Sequence, residues 1–177
     1  TTSYSFPVQV DGAFHDQFWT KWDSHRDNGA GIANNGTLWV AGLNTAGCLG
    51  QNLNPTELVA KSSPIQVGTA NDWIDVAVGE FSVFALKNNG KLYAWGQNDV
   101  NINRSSPVQV REGTSFTQVS TYYQHVLALT TSNNLISWGR NTEGQLGINN
   151  ALNTSSPTQV GIGQWSDIAT GHYNSIL

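Results

Sequence analysis

Methionine is missing altogether, and cysteine occurs once, as Cys48. A chain with no methionine is predicted to be a processed product or a stretch of a longer polypeptide. A single cysteine excludes an internal disulfide framework and a zinc site built mainly from thiolates. Charge is scarce too. Charged residues make up 11% of the chain, against about 25% in an ordinary soluble domain. Asparagine, serine, threonine and glycine fill the gap, so the surface is polar but close to neutral. The formal net charge of -4 comes with no basic stripe, so no nucleic-acid partner is expected. No apolar run approaches the ~20 residues of a spanning helix, and no membrane insertion is expected. No window carries an amphipathic helical period. The 177 residues are still enough for one domain with a real core.

What the chain does have is internal similarity. One frame aligns Gly36-Thr-Leu-Trp-Val-Ala-Gly42 with Gly90-Lys-Leu-Tyr-Ala-Trp-Gly96 and with Asn134-Leu-Ile-Ser-Trp-Gly139. Asn44, Asn98 and Asn141 follow two residues after the last glycine. A second frame is Pro-x-Gln-Val, starting at Pro7, Pro64, Pro107 and Pro157, which sets spacings of 57, 43 and 50 residues. A third follows each proline frame: Trp73 to Gly79, Phe116 to Tyr122 and Trp165 to Gly171, with Trp19 to Trp22 as a weaker match. The units run 7–63, 64–106, 107–156 and an incomplete 157–177.

Each unit reads as four short strands. The stretches are β-branched or aromatic, as half-buried strands require. Asn34-Asn35-Gly36 and Asn88-Asn89-Gly90 mark tight turns that need positive φ, and Ser132-Asn133-Asn134 does the same without glycine. Proline suits an outer strand, because it cannot donate to a central ladder. One such unit cannot bury both faces of its sheet, so neighbours must stack on it. Radial stacking gives a β-propeller. Gly79, Ala77, Ala169 and Gly171 suit crowded inner strands, and Trp73, Trp95, Trp138 and Trp165 suit the wider space between blades.

These residues resemble the repeat of the regulator of chromosome condensation family. The third unit is the best match, from Leu135 through Trp138-Gly139 and Asn141 to Gly144-Gln-Leu-Gly147. The first keeps Gly42 to Gly50 with Cys48 where glutamine is usual. The second loses the Gly-Gln-Leu-Gly stretch after Trp95-Gly96, which explains its shorter length. The resemblance implies an all-β propeller of four-stranded blades, about seven in a closed ring. This chain supplies about 3.3 of them as a single segment, 1–177. The remaining blades are expected from the same longer chain or from neighbouring subunits.

Catalysis is not expected. No nucleophile elbow, P-loop or dinucleotide fingerprint occurs. His125 and His172 fall near equivalent strand starts and read as packing or hydrogen-bonding groups. Asp75 and Asp167 share one repeat position, which points to a structural job. His15, His25 and the nearby aspartates match no zinc spacing, and Asn98 to Asn103 lacks the calcium-loop pattern. No metal and no cofactor is expected. Guanine nucleotide exchange on a small GTPase, the founding member's activity, is an alternative, but no residue set here matches an exchange surface.

A binding or structural module remains, with a protein or glycan partner. Phe18, Trp19, Trp22, Tyr122 and Tyr123 are the candidate surface. For the two tryptophans and the two tyrosines the competing reading is inter-blade core. The near-verbatim Ser-Ser-Pro-x-Gln-Val, low charge and abundant asparagine resemble bacterial and bacteriophage members of the family. The expectation is a phage virion or host-attachment protein, in the virion or at a cell surface, with a secreted bacterial binding propeller as the alternative.

Overall fold

The computed structural model describes residues 18–53, 55–98 and 102–176. They form three four-stranded antiparallel sheets and the start of a fourth. The first sheet is β1 (Trp19–His25), β2 (Asn28–Ala33), β3 (Leu38–Leu43) and β4 (Ala60–Gln66). The second is β5 (Trp73–Val78), β6 (Ser82–Lys87), β7 (Leu92–Asn98) and β8 (Ile102–Gln109). The third is β9 (Phe116–Thr121), β10 (His125–Thr130), β11 (Leu135–Gly139) and β12 (Thr154–Gln159). The short pair β13 (Ala169–Thr170) and β14 (Ser175–Ile176) follows. Within each sheet the strands pair in chain order.

The inner strands pack against one another in sequence, β1 on β5, β5 on β9 and β9 on β13. That is the blade order of a propeller. The proline frames end the sheets: Pro64, Pro107 and Pro157 lie in β4, β8 and β12, each at an outer edge. The units that start at 64, 107 and 157 in the sequence therefore start on the strand that closes the preceding sheet.

The core lies between blades. Ile32, Leu38 and Val40 of the first sheet meet Val76, Val83 and Trp95 of the second. Phe84 and Leu86 on the other face of the second sheet meet Phe116, Val126 and Trp138 of the third. Leu127, Leu129 and Leu135 then meet Ile168, with Trp165 packed alongside. Trp73 and Trp95 fill the first sheet-to-sheet gap, and Trp138 the second. The turn at Ser132-Asn133-Asn134 works without glycine because Asn133 itself takes φ +57.

One glycine position sets the blade shape. Gly42, Gly96 and Gly139 have φ of +115, +88 and +110. In each, a Cβ would run into the carbonyl oxygen of the neighbouring turn, at Asp27, Phe81 or Gln124. The pairing with the outer strand shifts register at this point in all three sheets. Two residues later the buried Asn44 and Asn141 clamp a loop. Asn44 Oδ1 accepts the Leu49 N–H and Asn141 Oδ1 the Leu146 N–H, both at 2.9 Å. The first of these loops inserts Cys48 and Leu49 between the first and second sheets, and Trp95 Nε1 donates to the Cys48 carbonyl at 2.8 Å.

Candidate functional site

The first two strands of each blade are joined by a tight turn, and all these turns lie at one end of the inner strands. The backbone repeats closely. Gly79 N–H donates to the Ser82 carbonyl at 2.8 Å, and Gly171 N–H to Asn174 at 2.9 Å. The residue after the repeated glycine of each third strand donates back to its turn: Leu43 to Asp27, Gln97 to Phe81 and Arg140 to Gln124. This register makes Arg26, Glu80, Tyr123 and His172 structurally equivalent, one per blade. The frame is constant and the side chains are all different.

Because the inner strands touch, the four tips form one cluster. Arg26 pairs with Glu80. Glu80 is buried, accepts from Gln124 Nε2 at 2.8 Å, and its N–H donates to the Tyr123 carbonyl at 2.9 Å. His25 meets Tyr122 edge to face, with centroids 4.7 Å apart. His172 stands 4.6 Å from Tyr123 and stacks on Tyr173 at 4.0 Å. The Arg140 guanidinium lies 5.6 Å from both the Tyr123 and the Tyr173 rings. Tyr122 and Tyr173 stay 44% and 51% exposed. Exposed tyrosine rings beside arginines, on a backbone fixed by hydrogen bonds, give amphipathic contact area with little entropy to lose. His25 is buried here, and that burial lowers its pKa, with Arg26 acting in the same direction.

The sequence-predicted surface falls into two parts. Tyr122 and Tyr123 belong to this cluster; Tyr122 stands where Gly79 and Gly171 stand in other blades. Phe18, Trp19 and Trp22 lie on or beside β1. Trp19 and Trp22 meet edge to face at 5.2 Å and cover Gly29 and Gly31 of β2. Trp19 pairs with Ala33 as Trp73 pairs with Lys87, so the two tryptophans hold the same blade position. Trp73 is buried there by the preceding sheet. Trp19 and Trp22 are 36% and 45% exposed because no described sheet precedes the first. Arg26, Glu80, Gln124, Arg140 and Tyr173 were not singled out in the sequence. The signal for them was the variable residue next to Gly79 and Gly171, between flanks that recur.

The other residues of note have structural partners. His125 is fully buried, and Nε2 meets Ser175 Oγ at 3.2 Å while that hydroxyl donates to the Gln145 carbonyl at 2.7 Å. Burial holds its pKa at about 4. Asp75 pairs with Lys21 of the preceding blade, and Asp167 accepts from Gln118 Nε2 of its preceding blade at 2.8 Å. The shared position links adjacent blades, as repetition suggested. Gly144 and Gly147 take φ of +78 and +66 in the clamped loop. His15 and Asp16 lie outside the described residues.

Comparison with known proteins agrees with this architecture. The family described as Regulator of chromosome condensation (RCC1) repeat matches residues 35–86 and 132–177, more than half of the chain. A second description of the same repeat matches 73–101 and 116–145. No curated protein sequence matches. Among solved structures, human WBSCR16 is similar at TM-score 0.76 and 18% identity, covering 92% of this chain and 45% of that one. Yeast RCC1 (Prp20), in its crystal structure bound to Kap60, is similar at TM-score 0.77 and 18% identity, covering 93% and 42%. Prp20p from Saccharomyces cerevisiae, whose structure was described with its binding to Gsp1p and histones, gives TM-score 0.75 at 18% identity, covering 92% and 43%. The chain thus spans less than half the length of these neighbours. It belongs to the regulator of chromosome condensation (RCC1) repeat family of β-propellers.

Proposed function

We propose that this chain is a non-catalytic recognition segment of a propeller, and that it holds a protein partner on the end face formed by its turn tips. The observation that carries this reading is the set Arg26, Glu80, Tyr123 and His172. Four equivalent positions on one repeated frame hold four different side chains, in contact with one another and beside exposed tyrosines. Fold positions repeat their residue types, as Gly42, Gly96 and Gly139 do. Recognition positions on a rigid scaffold need not. Two of the similar structures are of one protein, yeast Prp20, described with protein partners, which favours a protein over a glycan. The host-attachment role and the virion or cell-surface placement expected from the repeat style belong to the same proposal, and rest on the sequence alone.

The test compares baits. The wild-type chain and a Tyr122→Ala/Tyr173→Ala variant are used to capture proteins from the natural source. A protein retained by the wild type and lost from the variant supports the reading, provided the variant melts as the wild type does. A partner captured equally by both, or a glycan that competes it off, contradicts it.

A further inference from the structure

The second blade lacks a part that its neighbours have, and a groove lies where that part would sit. In the first blade the loop after β3 fills the gap to the second sheet. Leu49 is buried there, Cys48 offers its carbonyl to Trp95 Nε1, and Asn52 N–H donates to the Ser105 carbonyl at 2.6 Å. In the third blade the loop Asn141–Gly147 turns the same way and offers the Gln145 carbonyl to Ser175 Oγ in β14. In the second blade, β7 ends at Asn98 and β8 begins at Ile102, so the sequence between these strands is three residues long.

Between the second and third sheets a groove of about 600 Å³ remains, within the ~300–1,000 Å³ of ordinary ligand sites. Its lining includes the counterparts of the groups that receive the first loop. Trp138 holds the place of Trp95, and Ser155 holds the place of Ser105 before the repeated proline. Phe84 and Val126 add an apolar floor.

Charge gives the groove its selectivity. Arg104, Arg111 and Arg140 all line it, and its described lining includes no aspartate or glutamate. The fourth arginine of the chain, Arg26, is engaged with Glu80. In a protein of net charge -4, three guanidinium groups around one groove make a local field of the opposite sign. Arg111 reaches only the Pro157 carbonyl, at 3.4 Å; Arg140 is more engaged, its Nε donating to Thr142 Oγ1 at 2.8 Å while a terminal nitrogen meets Glu143 at 3.7 Å. Guanidinium groups of this kind bind carboxylates with paired, charge-assisted hydrogen bonds.

We propose that this groove binds an acidic peptide turn of a partner protein. An aliphatic side chain of the turn takes the place that Leu49 takes in the preceding gap, a backbone carbonyl meets Trp138 Nε1, and flanking carboxylates meet Arg104, Arg111 and Arg140. The site adjoins the turn-tip face at Tyr123 and Arg140 but does not depend on it.

The probe is a synthetic peptide that copies residues 141–149 of this chain and ends in two added glutamates. A control peptide has lysine in place of Glu143 and of both added glutamates. Binding to the full chain is measured by calorimetry at low and at physiological salt. The acidic peptide is expected to bind, more weakly as salt rises, and the lysine peptide not to bind. An Arg104→Ala/Arg111→Ala variant, altered only at exposed residues, is expected to lose about tenfold or more in affinity. A Lys61→Ala/Lys91→Ala variant, which removes the same charge elsewhere, should change it less than about twofold. Tyr122→Ala should leave peptide binding intact, which separates this site from the turn-tip face. Absence of binding, equal binding of both peptides, or equal losses in the two double variants would overturn the proposal.

Discussion

Replacing Asn141 by alanine removes the clamp on the third blade's loop. Asn141 is fully buried. Its Oδ1 accepts the Leu146 N–H at 2.9 Å, and its Nδ2 donates to the carbonyls of Asn150 at 2.8 Å and Leu152 at 3.2 Å. Alanine leaves the buried Leu146 N–H without an acceptor, at a cost of about 1–3 kcal/mol. Asn150 and Leu152 are exposed, so water replaces most of what their carbonyls lose. The truncated volume adds about 1 kcal/mol. The expected loss is therefore about 2–4 kcal/mol, and Asn44→Ala in the first blade should fall in the same range. Urea unfolding followed by tryptophan fluorescence reads this as a lower midpoint at unchanged slope. An exposed asparagine outside the left-handed region, such as Asn71, gives the baseline. A loss below about 0.5 kcal/mol for Asn141→Ala would refute the claim that these repeated asparagines hold the loops.

Gly139→Ala should destabilise by about 3 kcal/mol or more, because positive φ and overlap with the Gln124 carbonyl act together. Gly144→Ala, at φ +78 with nothing within 4 Å of its Cβ, should cost only about 1–2 kcal/mol; equal effects would show that the close approach is immaterial. The His125 pKa is lowered from 6.5 to about 4 in the folded protein. The unfolded state therefore binds the extra proton first on acidification, and stability falls between pH 6.5 and 4, by about 3 kcal/mol at most. His125→Asn, the residue found at the equivalent Asn28 and Asn174, should flatten that slope in urea midpoints taken at pH 7 and pH 4.5. The Cys48 thiol is pushed up to about 12 by burial, so alkylation should proceed only as the gap between the first two sheets opens. Rapid labelling of the folded chain would contradict the packing of that loop.

The fold was legible because its determinants repeat. Pro64, Pro107 and Pro157 announced outer strands, Gly36 and Gly90 announced turns, and Trp95 and Trp138 announced the space between blades. Each recurs because the same steric problem recurs in every blade. The end face was only partly legible for the opposite reason. Tyr122 and Tyr123 drew attention as aromatics, but Glu80 and Arg26 share nothing with them as residue types. Only the register of the turns brings the four tips together. Trp19 and Trp22 show the limit of reading exposure from composition, since their place in the blade is one that a preceding sheet buries. The groove left by the shortened second unit was visible in sequence only as a missing motif. Its arginines come from Arg104, Arg111 and Arg140, on segments that meet only when two blades stack.

The most direct test of the recognition face is photo-crosslinking in the natural source. A benzophenone side chain is placed in turn at Tyr122 on the end face, at Trp22 on the first sheet and at the exposed Ile162, away from the groove lining. The account predicts a discrete protein adduct from position 122 and none from 162. An adduct from Trp22 alone, or the same adducts from all three positions, would contradict the claim that the turn tips carry recognition.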